Sequence, residues 1–138
     1  MKYATESPRF SVRSFRQRLD ESNHLLFSSS NVDEAKASVG RVMTPHELNV
    51  INNNGRLDAS MHYMPLGDIS LYRLKYGSSV SIHIPTIKDY YCIQIPIHGH
   101  ACVTNGSEKI ESTESTASVL NPEVQTDMVW DYDNDQFM

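Results

Sequence analysis

The chain has 138 residues, 39% hydrophobic and 21% charged, which suits one globular domain with a sizeable core and leaves little room for two. Its formal net charge of −5 argues against free nucleic acid as a partner of this segment, because phosphate binding needs a concentrated positive surface. The opening MKYATESPRF has no apolar signal-peptide core, and no apolar run approaches the roughly 18 residues of a membrane helix, so a cytoplasmic protein with no membrane contact is expected.

Residues 1–22 are polar with little periodicity and predict a loose N-terminal arm, with Arg9, Arg13, Arg16 and Arg18 as a solvated basic lead-in. HLLF, His24 to Phe27, predicts a short first strand or a packed extension. SSSNVDEAKASVGRVM predicts a helix. Ser30 or Asn31 can cap it, Asp33 and Glu34 complement its dipole, and Val32, Ala35, Val39 and Val42 form an apolar stripe. Gly40 weakens that pattern and Pro45 ends it. NNNG, Asn52 to Gly55, predicts a flexible turn.

From there the period changes to that of strands. RLDASMHYM is followed by a break at Pro65, Gly67 and Asp68, then by ISLYRLKY, a turn at Gly77-Ser78, and VSIHI. YYCIQIPI, a turn at Gly99, ACVT, a turn at Asn105-Gly106, EKIES, ASVL with Asn121-Pro122, DMVWDYD and DQFM complete the series. Short β-rich runs separated by turn residues predict a barrel or sandwich. Asn105-Gly106 is the strongest hairpin signal, as a type I′ turn needs φ > 0 at both central residues. The chain stops inside what reads as a strand, which suggests a piece of a longer protein. Cys92 and Cys102 have no zinc-type spacing and read as packed, reduced thiols.

His98 and His100 raise the question of a metal. Strand alternation would put residues i and i+2 on one face, and metal-binding cupin barrels use such a His-x-His pair with a nearby glutamate and a later histidine. Here the next acid, Glu108, lies across the Asn105-Gly106 turn, and no histidine follows His100. Gly99 also reads as the bend between two strands, so the two histidines are expected at a strand end near the rim. No nucleophile elbow, phosphate loop or paired-carboxylate site is visible, so no catalytic residue, metal or other cofactor is assigned.

Five ordered motifs carry a resemblance. They are the helix end with Met43, Pro45, His46 and Leu48; Gly67, Asp68, Leu71, Leu74, Tyr76 and Gly77; Tyr91, Gln94, Pro96, Ile97 and Gly99; Asn121-Pro122; and the final DQFM. Over residues 24–138 the chain resembles the N-terminal sensor domain of AraC-type transcription regulators, in particular the AraC-binding-like subgroup. TESTAS lacks the family's proline-glycine step, which puts the local turn type in doubt.

The resemblance implies a mainly β fold, a cupin-like β-barrel or jelly roll with a short N-terminal helix, occupying residues 23–138. It implies a non-enzymatic receptor for a small-molecule effector, such as an organic acid, whose occupancy is passed to a C-terminal pair of helix-turn-helix units. Those units are not part of this chain, and DNA would be reached only through them. A homodimer is expected in the full-length protein. Two other functions stay open: a metal-binding cupin enzyme using His98 and His100, and a module that only dimerises.

For the pocket, Tyr91, Ile93 and Ile95 share one strand face, with Cys92 and Gln94 on the other. Ser70, Tyr72, Leu74 and Tyr76 alternate with Leu71, Arg73 and Lys75, and the pattern does not fix the inward face. Tyr72, Gln94 and Trp130 are the candidate amphipathic contacts to an effector. His62, Arg73 and His83 are the candidates for an anionic one, against a plain reading of Arg73 as a solvated strand position. His46 reads either as part of the site or as a structural residue at the helix end.

Overall fold

The period-two runs form strands, and the strands form two facing antiparallel sheets. A computed structural model describes residues 24–51 and 56–138, so the expected N-terminal arm with its arginines and the NNNG turn lie outside the described residues. The elements in chain order are β1 (Leu25–Ser29), α1 (Val32–Val42), β2 (Glu47–Val50), β3 (Ala59–Leu66), β4 (Ile69–Lys75) and β5 (Val80–Ile84). They continue with β6 (Cys92–His98), β7 (Ala101–Asn105), β8 (Glu108–Ser112), β9 (Ser118–Leu120), β10 (Thr126–Trp130) and β11 (Asp135–Phe137).

One sheet has the order β2-β5-β10-β7-β8 and the other β1-β3-β4-β11-β6-β9. From β4 to β7 successive strands change sheet at each step, and β9, β10 and β11 do so again. That alternation is the winding of a jelly roll, and it forms a cupin-type barrel with its core between the sheets.

Helix α1 begins as its sequence demands. Asn31 is the N-cap, and its Oδ1 accepts from the Glu34 backbone N–H at 3.0 Å. Glu34 in turn accepts from the Ser29 hydroxyl at 2.6 Å. Ala35 and Val39 are buried as expected, but Ser38 completes the inward face and Val42 is exposed. The helix has turned past the sheet by its last residue. Gly40 does not break it.

In the strands, alternation is clean wherever one face meets water. Val80, Ile82 and Ile84 of β5 point in, as do Thr126, Met128 and Trp130 of β10, while Asp127 and Val129 point out. Burying each large side chain contributes about 1.5–3 kcal/mol, so Trp130, Tyr76, Met61 and Leu74, all nearly inaccessible, anchor the core.

Three local expectations need correction. Pro65 lies inside β3, not in a turn; it sits past His62, the last partner of β1, where a missing N–H removes no bond on that side. The turn is the two-residue Gly67-Asp68 step. The second hairpin loop is Gly106-Ser107, with Asn105 paired to Glu108 as a strand residue. Only Gly106 of that loop has positive φ (61°), which fits a type II′ turn and not type I′. Asn105 is instead buried, accepting from the Asn121 N–H at 2.8 Å and donating to Thr126 Oγ1 at 2.8 Å.

The third correction is Arg73. It is 6% exposed, with Nε and Nη2 on the two carboxylate oxygens of Asp135 at 3.0 and 2.7 Å. A forked ion pair holds it between neighbouring strands of the six-stranded sheet, so it is not a solvated position.

Candidate functional site

The candidate site lies between the sheets, below the C-terminal end of α1. Val39 of α1 and Met43, Thr44 and His46 after it cover the space from above. Leu74 comes from β4 and Tyr76 directly follows it, Ile82 and Ile84 come from β5, Cys92 and Gln94 from β6, and Met128 and Trp130 from β10. Tyr90, Leu120 and Met138 close the remaining sides. The faces left open by the sequence are thus settled: Cys92 and Gln94 point in, while Tyr91, Ile93 and Ile95 are exposed.

The wall is apolar with a few polar atoms. Gln94 is 1% exposed; its Oε1 accepts from the Ser118 hydroxyl at 3.2 Å. Its Nε2 meets only the sulfurs of Met128 at 3.3 Å and Met138 at 3.9 Å, which are weak acceptors. The Trp130 indole packs against Tyr76 with ring centroids 5.4 Å apart, and its Nε1–H is buried without an acceptor.

His46 Nδ1 lies 2.9 Å from the Thr44 carbonyl, and since a carbonyl only accepts, this nitrogen carries the proton. Nε2 of His46 is then an acceptor, buried and unpaired. Two donors and one acceptor therefore have unused capacity here, in a setting where an unmade hydrogen bond costs about 1–3 kcal/mol.

Each shifted titratable group on the wall is held neutral. Burial lowers the pKa of His46, and Lys36 adds to this, against the Thr44 hydrogen bond and Glu47. Burial pushes the Cys92 thiol up to about 12 and is the largest cause raising Tyr90 to about 12. Burial also raises Tyr76 well above the usual phenol range. Among the described residues no Lys, Arg, Asp or Glu lines the space.

The room open to the centre of a water molecule is about 40 Å³. A single water needs roughly 10–15 Å³ by that measure, so the cavity as it stands holds a few waters and not a drug-sized molecule. Its gap-fillers are Met43, Met128 and Met138, unbranched side chains that repack at low cost. Outside them an open groove runs past Ile69, Tyr72 and Ile93, sharing Met43, Tyr90, Cys92 and Met138 with the cavity wall.

Of the six residues singled out from sequence, the structure brings Gln94 and Trp130 to the cavity. Tyr72 stacks on Tyr63 at 5.0 Å and borders the outer groove. His62 and Arg73 are register partners on β3 and β4, away from the cavity lining. His83 sits on the outer side of β5 with its Nδ1 2.7 Å from Asp127. His46 and the methionines were not among the six. The Met-x-Pro-His pattern marks His46 as special, but its inward position depends on where α1 meets the barrel.

His98 ends β6 and His100 precedes β7, with Gly99 between them at φ 80°. The bend sends each imidazole to its own pair of acids. His98 lies 2.9 Å from Glu114 and 3.5 Å from Asp133; His100 meets Glu111 and lies 3.4 Å from Asp131. Among the described residues no group of three or more His, Cys, Asp or Glu is placed to hold a metal ion. No helix among them is long and apolar enough to cross a membrane.

Fold and cavity together define a cupin-type β-barrel whose interior is capped by one short helix. Residues 35–138 match the AraC-binding-like domain, and the chain belongs to that family. It is 27% identical over 100 residues to the probable thc operon regulatory protein of Rhodococcus erythropolis, covering 72% of this chain and 30% of that one. It is also 27% identical over 84 residues to XylDLEGF operon transcriptional activator 1 of Pseudomonas putida, covering 61% and 26%. The chain thus spans under a third of the length of these regulators. Among solved structures it is similar to a predicted oxalate decarboxylase of Thermotoga maritima, with TM-score 0.45, 9% identity, and 67% and 85% of the two chains covered.

Proposed function

We propose that this domain is the effector-sensing part of a longer AraC-type transcription regulator. A small molecule occupies the interior cavity, and occupancy is passed to a C-terminal helix-turn-helix region that binds DNA, in a cytoplasmic homodimer. The domain acts as a receptor and not as an enzyme. One observation carries the reading: in a chain of a regulator family, the barrel interior keeps buried hydrogen-bonding atoms of Gln94, Trp130 and His46 without good partners. Such atoms are costly in a purely structural core and useful in a receptor.

Coupling requires that the ligand bind one state of the protein better than another. Helix α1 and the loop to His46 suit that role, because they form the roof of the cavity and also the outer surface of the domain. The gene beyond codon 138 provides the test. Two helix-turn-helix patterns, each with a basic recognition helix, are expected there. A stop or an unrelated domain would sink the DNA-coupled reading. Sedimentation of the full-length protein checks the homodimer.

A further inference from the structure

We infer that the cavity selects an uncharged, mostly apolar molecule of few heavy atoms, one that accepts hydrogen bonds from Trp130 Nε1 and Gln94 Nε2 and donates one to His46 Nε2. This rests on reading the cavity as the effector site, and adds the class of ligand that the site takes.

The argument begins with charge. A carboxylate moved from water into an apolar cavity needs a cation or several hydrogen bonds to offset its lost hydration. The candidate cations of the sequence are absent from the wall: Arg73 is held by Asp135, and His83 faces Asp127 outside. A ligand ammonium fares no better, because no carboxylate among the described residues lines the space. His46, Cys92, Tyr76 and Tyr90 are all shifted toward their neutral forms, so the wall supplies no counter-charge of its own.

The polar atoms then set the pattern of recognition. Trp130 Nε1–H can only donate, and Gln94 Nε2 is left with sulfur acceptors. His46 Nε2 can only accept while Nδ1–H stays on the Thr44 carbonyl. A hydroxyl offers one donor and two acceptor lone pairs, and so matches this set without any charge. Around it Leu74, Ile82, Leu120 and the methionine side chains ask for hydrocarbon. The present free space of about 40 Å³ sets the scale: a small ring enters only if the methionines repack, and a large or rigid molecule does not.

The test uses isosteric sets on the 138-residue chain at neutral pH, read by thermal shift and titration calorimetry. One set is benzyl alcohol, benzoate and benzylamine; the other is cyclohexanemethanol, cyclohexanecarboxylate and cyclohexylmethylamine. The alcohols should raise the melting temperature with concentration and bind at least tenfold more tightly than either charged partner. Trp130→Phe, which keeps an apolar ring and removes the N–H, should weaken the alcohols at least fivefold. Gln94→Met, close in volume, should do likewise should the first variant fold poorly.

Equal or tighter binding of the carboxylate or amine would overturn the inference and leave the sensing role standing. Alcohol binding unchanged in both variants would overturn the hydrogen-bond assignment. Absence of binding by every member would remove the inference and the cavity reading together.

Discussion

At the scale of single residues, some buried polar groups of this barrel complete a tight local network, while others stand unpaired, those of Trp130 and His46 at the cavity and those of Ser78, Asn134 and Gln136 away from its wall. Arg73 and Asp135 belong to the first kind. Removing one member of a buried ion pair is costly, so Asp135→Ala, which takes both of its carboxylate oxygens from Arg73, should lower unfolding free energy by roughly 3–5 kcal/mol in urea titration. Glu47→Gln, which breaks the exposed Lys36 contact, should leave the midpoint unchanged. Asn105 bonds the Asn121 backbone and Thr126, so Asn105→Ala should cost about 1–3 kcal/mol. His46 adds a pH signature. Its pKa is lowered from 6.5 in the folded state, chiefly by burial, with Lys36 and Glu47 as the charged groups beside it. The unfolded chain therefore takes up a proton first as pH falls. The stability gained by keeping His46 neutral is complete above about 6.5 and is lost as pH drops through the folded value. Between pH 7 and 5, His46→Gln should flatten the fall in stability seen in the wild type; parallel slopes would show that another group is responsible.

At the scale of elements, the turns show how far a sequence can be read and where reading stops. Gly67 and Gly99 both have positive φ, yet they differ in surroundings. A Cβ on Gly67 would meet nothing within 4 Å, whereas one on Gly99 would lie 2.7 Å from the backbone of Asn134. Gly67→Ala should thus cost only the backbone penalty of about 1–2 kcal/mol. Gly99→Ala should cost clearly more, because backbone must move, and a denaturation series on the two variants checks the order. The sequence marked both glycines as turns, since that signal is local. It placed the α1 cap and most of the strand runs for the same reason, but marked no strand at Glu47–Val50, which forms β2. It misplaced the β7–β8 loop by one residue because Asn-Gly is a statistical turn signal, while the Asn105 side chain is claimed by Asn121 and Thr126 from other elements. The inward face of β6 was illegible for a related reason. Its polar residue, Gln94, points in, and its isoleucines point out, the reverse of what amphipathicity suggests. An inward Gln94 makes sense once Ser118 of β9 and the methionines lie beside it. Likewise Arg73 and His83 looked like anion ligands in sequence because the acids that occupy them, Asp135 and Asp127, are far away in the chain.

At the scale of the whole molecule, two sheets and the one helix among the described residues surround a free space of about 40 Å³, so on the proposed reading a ring-sized effector would enter only as the methionines repack. Met128 offers a direct way to test this. It stands in β10 between β5 and β7, in the five-stranded sheet, and is 4% exposed. Truncating a buried methionine to alanine costs about 2–5 kcal/mol, the exact loss depending on how far the surroundings collapse. In this barrel collapse is limited, because the β10 backbone is fixed on both sides by register with β5 and β7. Met128→Ala should therefore fold, melt at a lower temperature, and contain an enlarged cavity. Cyclohexanemethanol should fill it. A ligand that binds only the folded state stabilises by RT ln(1 + [L]/Kd), about 2.7 kcal/mol at a hundredfold excess over Kd. The variant should consequently regain most of its lost stability at saturating alcohol and bind it more tightly than the wild type, which must first move the methionine aside. If the alcohol stabilised the wild type and the variant equally, the ligand would be entering somewhere other than the space that Met128 fills.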